Sequence, residues 1–136
     1  MTPAGLVIVA SRYFPDETAE RVVAAVAAHG MTVMARIDHS AAAAKVGLTL
    51  RPTQVLIFGA PQAGTVLMQA AQTTGIDLPL KILVWQDESG HSWIGYNDPH
   101  WIVQRHGAAI GGDPVVGAMT RTLAALAAEA GERVTS

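Results

Sequence analysis

The sequence contains no cysteine, which excludes disulfide frameworks, thiolate nucleophiles, zinc ribbons and cysteine-ligated clusters. Whatever chemistry it carries belongs to His, carboxylate and Arg side chains. Charge is scarce, at 15% of residues, and almost balanced: nine Lys and Arg stand against eleven Asp and Glu, for a net charge of -2. A phosphate backbone needs a basic surplus, so nucleic acid is not expected as a partner. Long apolar runs are missing as well. The uncharged stretch from Pro52 to Ile76 carries four Gln, four Thr, three Gly and two Pro, so it reads as strand, loop and helix rather than as a membrane span. No membrane association is expected. The first residues, Met1 to Leu6, lack a basic flank and an extended apolar core, which points away from a signal peptide and toward a cytoplasmic location.

What is present is a chain of 136 residues, half of them apolar, and that combination specifies a packed fold rather than disorder. The length suits one domain, 1–136. Aromatic residues make up only 5%, while alanine is abundant, so the core must be built from small side chains.

Leu6 to Ala10 is an apolar, β-branched run that reads as a buried strand. A helix follows, with Pro15-Asp16-Glu17-Thr18 at its start, Val22, Val23, Val26 and Ala27 on one face, and Gly30 as its stop. Met31 to Asp38 returns to strand, and strict alternation would place Val33, Ala35 and Ile37 on one face and Thr32, Met34, Arg36 and Asp38 on the other. Ser40 to Val46 is a short Ala-rich helix capped from Asp38 or Ser40. Gln54 to Phe58 is a strand, and a helix is expected from about Gly64 to Gln72. Lys81 to Gln86 and His91 to Tyr96 form a hairpin through Asp87-Glu88-Ser89-Gly90. Asn97-Asp98-Pro99 opens a helix to about His106. Gly111-Gly112-Asp113-Pro114 opens a last one over about 114–130, with Val115, Met119, Leu123 and Leu126 as its stripe. The expected fold is α+β: one mixed or antiparallel sheet of about five strands, packed by helices and closed by the C-terminal helix.

Arg36-Ile37-Asp38-His39-Ser40 with the alanines after it, Leu50-Arg51-Pro52-Thr53-Gln54, Ile57-Phe58-Gly59 and Leu78-Pro79-Leu80-Lys81 together resemble the bacterial and archaeal domain of unknown function 302 family. Trp85, Tyr96-Asn97-Asp98-Pro99 and Arg105-His106 continue the resemblance, which covers about residues 6–107. It implies a small α+β domain without an assigned biochemical function. Two positions depart from that pattern: Ala60, where the family usually has Asn, and Gln62, where Lys is frequent.

Three constellations can carry chemistry. Asp38-His39 sits at a strand end with Arg36 on the Asp38 face, and a carboxylate beside an imidazole suits a general base or a metal ligand. The alternative is that Asp38 caps a helix and His39 is a surface residue. No two His residues stand at i, i+4 spacing, so a metal would need His39 to be joined by a distant His such as His106 or His100. The second constellation, from Phe58 to Thr65, is a strand, a Gly loop and a helix start, where free amides near Gly64 and the Thr65 hydroxyl can hold an anion; an ordinary tight turn with a capped helix is the simpler reading. The third is Arg51, held extended by Pro52 and able to grip a carboxylate or to pair with Asp38, Asp77 or Asp98. Trp85, Trp93 and Trp101 read as core or interface residues.

The leading reading is a domain that binds a small, anionic ligand where Arg36, Asp38, His39, Arg51 and His106 converge, with Gly64 and Thr65 contributing. One rival is an enzyme with His39 as general base or metal ligand, oriented by Asp38. The other is an interaction module acting through a homodimer surface that involves the Trp residues or the last helix. No cofactor is indicated by the sequence.

Overall fold

The computed structural model describes residues 2–132. Five strands, β1 (Leu6–Ser11), β2 (Thr32–Asp38), β3 (Thr53–Gly59), β4 (Leu80–Gln86) and β5 (Ser92–Asn97), form one sheet in the order β1-β5-β4-β3-β2. Every neighbouring pair is antiparallel, which resolves the mixed-or-antiparallel expectation. The helices are α1 (Pro15–Ala28), α2 (His39–Lys45), α3 (Pro61–Ala70), α4 (Pro99–His106) and α5 (Ala109–Gly131), with a 3₁₀ turn at Gln72–Ile76 between α3 and β4. The architecture is α+β, closed by the C-terminal helix.

Period-two alternation explains the sheet. Gln54, Leu56 and Phe58 of β3 face Val84, Ile82 and Leu80 of β4 across the register, and all six are buried under α1 and α5. The residues between them, Thr53, Val55 and Ile57 on β3 and Lys81, Leu83 and Trp85 on β4, point to the opposite face. Among the described residues these side chains are half-buried rather than buried.

In β2 the expected alternation fails at Met34. The register slips between Val33 and Ala35, so Val33 pairs with Phe58 but Ala35 pairs with Ile57. A bulge of this kind sends the residues after it to the other side. Val33 therefore belongs to the helix-covered face, whereas Ala35 and Ile37 lie on the uncovered one, and Arg36 and Asp38 turn toward α1. Arg36 donates from Nε to Gln54 Oε1 at 2.9 Å and from Nη1 to Glu20 at 2.6 Å. Gln54 in turn donates to Asp16 at 3.1 Å, so its buried amide is satisfied and the chain of contacts ties two strands to α1.

Helix boundaries moved where prolines sit. α1 starts on Pro15 with Phe14 before it and no side-chain cap, because proline at the first helical position has no N–H to satisfy. Its buried stripe is Thr18, Ala19, Val22, Ala25 and Val26, while Ala27 is exposed. The Thr18 hydroxyl is accommodated by the Ser11 hydroxyl at 2.7 Å and by donation to the Tyr13 carbonyl. α3 likewise starts at Pro61, three residues before the expected Gly64. α5 runs from Ala109 through Pro114; the cap expected at Asp113 lies outside the described side chains. Val116, Met119, Leu123, Leu126, Ala127 and Ala130 are buried, so this stripe of α5 is taken up in the core.

The β4–β5 turn is pinned by Asp87. Its carboxylate accepts the Ser89 and His91 amides at 2.9 Å each and the Trp93 indole N–H at 2.8 Å. The Trp93 indole first, then the His91 amide, hold this carboxyl below its ordinary value of 3.8. A depressed acid stabilises the fold above its unfolded value and loses that contribution as pH falls through the lower folded one. The melting-temperature gap between wild type and Asp87→Ala, present at neutral pH, should therefore close as pH is lowered below 3.8; a gap that persists in strong acid would remove the carboxylate from this role.

Candidate functional site

Asp38 caps α2. Its Oδ1 accepts the Ser40 hydroxyl at 2.6 Å and the Ala41 amide at 2.9 Å. The Ser40 hydroxyl above all, then that amide, lower its pKa, with a small further contribution from the Arg36 charge. His39 is exposed at the first position of α2 and has no hydrogen-bond partner among the described residues. Arg51 is exposed too, and its carbonyl accepts the Thr53 hydroxyl at 2.8 Å. Arg36 is committed to Gln54 and Glu20. The four residues thus sit near one end of β2 and β3 without lining a common cavity.

His106 belongs to another cluster. Its Nε2 lies 2.6 Å from Asp77 Oδ2 and its Nδ1 2.9 Å from the Thr73 hydroxyl, with side chains only 8% exposed for His106 and 13% for Asp77. Arg105 Nη1 reaches both Asp77 oxygens at 2.9 and 3.0 Å. Lys81 Nζ donates to the Pro79 carbonyl at 3.0 Å and the Asp77 carbonyl at 3.3 Å; partial burial lowers its pKa, opposed by the Asp77 charge. Asp77 and Asp98, two of the partners proposed for Arg51, are thus taken up elsewhere, Asp98 by capping the His100 amide at 3.0 Å. Among the described residues no group of three His, Asp or Glu side chains is placed to hold a metal. That leaves the pairing of His39 with His106 as metal ligands without geometric support.

An apolar, half-open cavity lies where the 59–65 segment meets α5. It has a volume of about 470 Å³ and is lined by the ends of β2 and β3, α3, the 3₁₀ turn with the Leu78-Pro79 segment, and α5. Met31, Met34, Met68 and Met119 line it together with Gly64 and Thr65. The chain has five methionines, so all four beyond Met1 meet here. Because α3 starts at Pro61, Gly64 and Thr65 occupy its body rather than its free N-terminal amides, and the Thr65 hydroxyl is spent on the Pro61 carbonyl at 2.7 Å. Among the described residues no charged side chain lines the cavity. Methionine spacing in the sequence gave no sign of this: the four come from β2 and its approach, α3 and α5, and only the bulge and the packing of α5 bring them together.

The family model described as "Domain of unknown function DUF302" matches residues 7–126. The chain belongs to this family. The match extends past the expected limit near residue 107 and takes in most of α5, as its burial requires.

Among curated relatives of this DUF302 domain, a protein named fluoride-specific ion channel FluC 1 from Brucella suis is 49% identical over 116 residues, 85% of this chain and 46% of that protein. Fluoride-specific ion channel FluC 2 from Brucella melitensis shows the same identity over 43% of its length. The chain thus spans less than half of these relatives. A crystal structure of an uncharacterised conserved DUF302 protein from Bacillus stearothermophilus superposes with a TM-score of 0.83 at 21% identity, covering 94% of this chain and 99% of that one, a likeness of fold. Among the described residues no helix is long and apolar enough to cross a membrane. Ala60 precedes α3 without a side-chain cap and puts its methyl group on the cavity wall.

Proposed function

We propose that this domain binds a small apolar molecule, or the apolar part of an amphiphile, in the methionine-lined cavity. The convergence of all four internal methionines carries the reading. Methionine is unbranched and polarisable, and it is over-used at binding surfaces that must adapt to irregular shapes. The volume falls in the range of small-molecule sites, about 300–1,000 Å³, and a wall without charge gives an anionic head group no partner, so such a group would stay at the mouth. Small-ligand binding is retained from the sequence reading, with Gly64 and Thr65 as wall residues. Asp38, His39 and Arg51 lie outside the cavity, and His39 has no bound-substrate position to serve as general base there.

The test is a fluorescence titration with N-phenyl-1-naphthylamine, whose emission rises in apolar surroundings. Wild type should show saturable enhancement, competed by decanol. Ala118→Phe, which fills the cavity from α5, should lose it at an unchanged far-ultraviolet spectrum. Equal enhancement in both proteins would refute the site.

The relatives support a second reading, in which this domain works beside a fluoride-handling membrane protein as an appended, non-spanning module. Their match to this chain leaves more than half of each relative for other parts. Fluoride tolerance of cells expressing such a channel with and without the domain tests it: no difference would remove this reading and leave the cavity reading standing.

A further inference from the structure

Antiparallel sheets with one solvated face alternate apolar inward and polar outward, but this sheet is apolar on both faces. The face opposite the helices carries Leu6, Ile8, Val55, Ile57, Leu83 and Trp85 at its centre, and the Trp85 ring lies so close over Gly95 that a Cβ there would stand 2.9 Å from it. Its one charged residue, Lys81, has its ammonium tied to the carbonyls of Asp77 and Pro79. At the edge of the same sheet projects a second apolar surface. α2 buries none of its residues, and the segment after it exposes Val46 at 71%, Leu48 at 66% and Leu50 at 47%. Among the described residues this sheet face is only half-buried, and the lobe, residues 39–51, touches its own chain at β3 without burying any residue of α2.

We propose that two copies of this chain pair through the uncovered sheet faces, with the lobe of each laid over Trp85 and Trp93 of the other. A two-fold axis lets each copy supply what the other lacks, since in such an interface the same patch serves on both sides. Area requires the lobe to take part. Four inter-strand spacings of about 4.8 Å and six residues at about 3.3 Å give a sheet face of roughly 400 Å², about half of the roughly 800 Å² per partner that a stable interface buries. The lobe supplies the rest only if it reaches across. Charge agrees with this placement: Lys45 and Arg51 bracket the apolar lobe, and the exposed Glu88 lies in the turn that joins Trp85 to Trp93. The proposal is independent of the cavity, which opens on the helix side. It also gives the Asp38-His39 and Arg51 motifs a place, at the rim of the lobe.

Light scattering coupled to size-exclusion chromatography, at micromolar concentration, tests this on the full chain. Wild type should run at twice 14.2 kDa, and Leu48→Asp/Leu50→Asp, which alters only exposed side chains, should run as a monomer with an unchanged far-ultraviolet spectrum. Its tryptophan emission should shift to the red as Trp85 and Trp93 become wet. A monomeric wild type overturns the proposal, including one that binds anionic vesicles through Leu48, which would assign the lobe to a lipid surface instead. A dimer that survives both substitutions overturns it as well, since the interface would then lie elsewhere.

Discussion

Replacing Gly5 by alanine is expected to destabilise the domain by about 3 kcal/mol, a fall of roughly 10 °C in melting temperature at the size of this chain. Two separate costs add. Gly5 has φ +78°, a left-handed conformation that costs a residue with a Cβ about 1–2 kcal/mol. A Cβ at that position would also overlap the Trp101 ring. The atoms it meets are near the root of the indole, which cannot swing aside as a flexible chain end does, and overpacking of this kind costs about 1–3 kcal/mol. Gly30 separates the two contributions, because it has φ +76° and nothing within 4 Å of its would-be Cβ. Gly30→Ala should therefore lose only the conformational part. Equal losses at the two positions would mean that Trp101 does not press on Gly5. The contact matters for the fold because the Gly5 carbonyl accepts the Asp98 amide at 2.7 Å, and Asp98 caps α4; one residue thus holds the start of β1 against the start of the helix that carries Trp101 and His106.

Much of this fold was legible because short-range rules decide it. The alternation in β3 and β4, Asp38 as the cap of α2, and Asp98 followed by Pro99 each rest on a few adjacent residues, and the structure has them as read. Val84 goes to the buried face and Trp85 to the uncovered one, the choice that alternation forces. What escaped the reading depends on contacts between segments distant in the chain. A bulge leaves no mark in β2, since Thr32-Val33-Met34-Ala35-Arg36-Ile37 alternates plausibly in either phase; the phase is set by what Phe58 and Leu56 need opposite them. Arg36 reached the helix side for that reason, and its guanidinium was absorbed into a structural chain with Gln54 and Glu20.

The candidate site was less legible than the fold, and for a physical reason. Polar motifs attract functional readings because their side chains have evident chemistry, yet Asp38 is spent on a cap and His106 on hydrogen bonds to Asp77 and Thr73. An apolar cavity has no such signature. Gly64 and Thr65 were singled out as anion-binding residues from the Gly-containing loop, and the structure makes them part of an uncharged wall once the helix is seen to start at Pro61. The uncovered sheet face was present in the sequence as the run Val55-Leu56-Ile57 and the run Ile82-Leu83-Val84-Trp85, in which residues of both parities are apolar. Runs of that kind are found in strands buried on both sides, and they carry the same message for this sheet.

Asp77→Ala should cost about 2–3 kcal/mol and weaken the cavity at the same time. The substitution leaves His106 Nε2, now 2.6 Å from the carboxylate, without a partner in a side chain that is almost fully buried, and an unsatisfied buried group costs about 1–3 kcal/mol. The Arg105 pair adds less than about 1 kcal/mol, because that guanidinium is half-exposed and screened by water. Asp77→Asn keeps an oxygen to accept from His106 and should lose about half as much. The effect reaches the cavity because Asp77 stands between Gly75 and Leu78, both on its wall, and the Asp77 contacts fix this segment to the end of α4. Once they are gone, the 3₁₀ turn and the Leu78-Pro79 segment keep the Thr73–His106 hydrogen bond and the Lys81 ammonium on the Asp77 and Pro79 carbonyls, but lose their charged anchor to α4. Naphthylamine affinity should therefore fall in the order wild type, Asp77→Asn, Asp77→Ala, in step with melting temperature. His106→Ala provides the complementary case: it removes the imidazole but leaves Asp77 paired with Arg105, so its loss should be smaller than that of Asp77→Ala, and an equal or larger one would show that the imidazole, rather than the carboxylate, is the centre of the cluster.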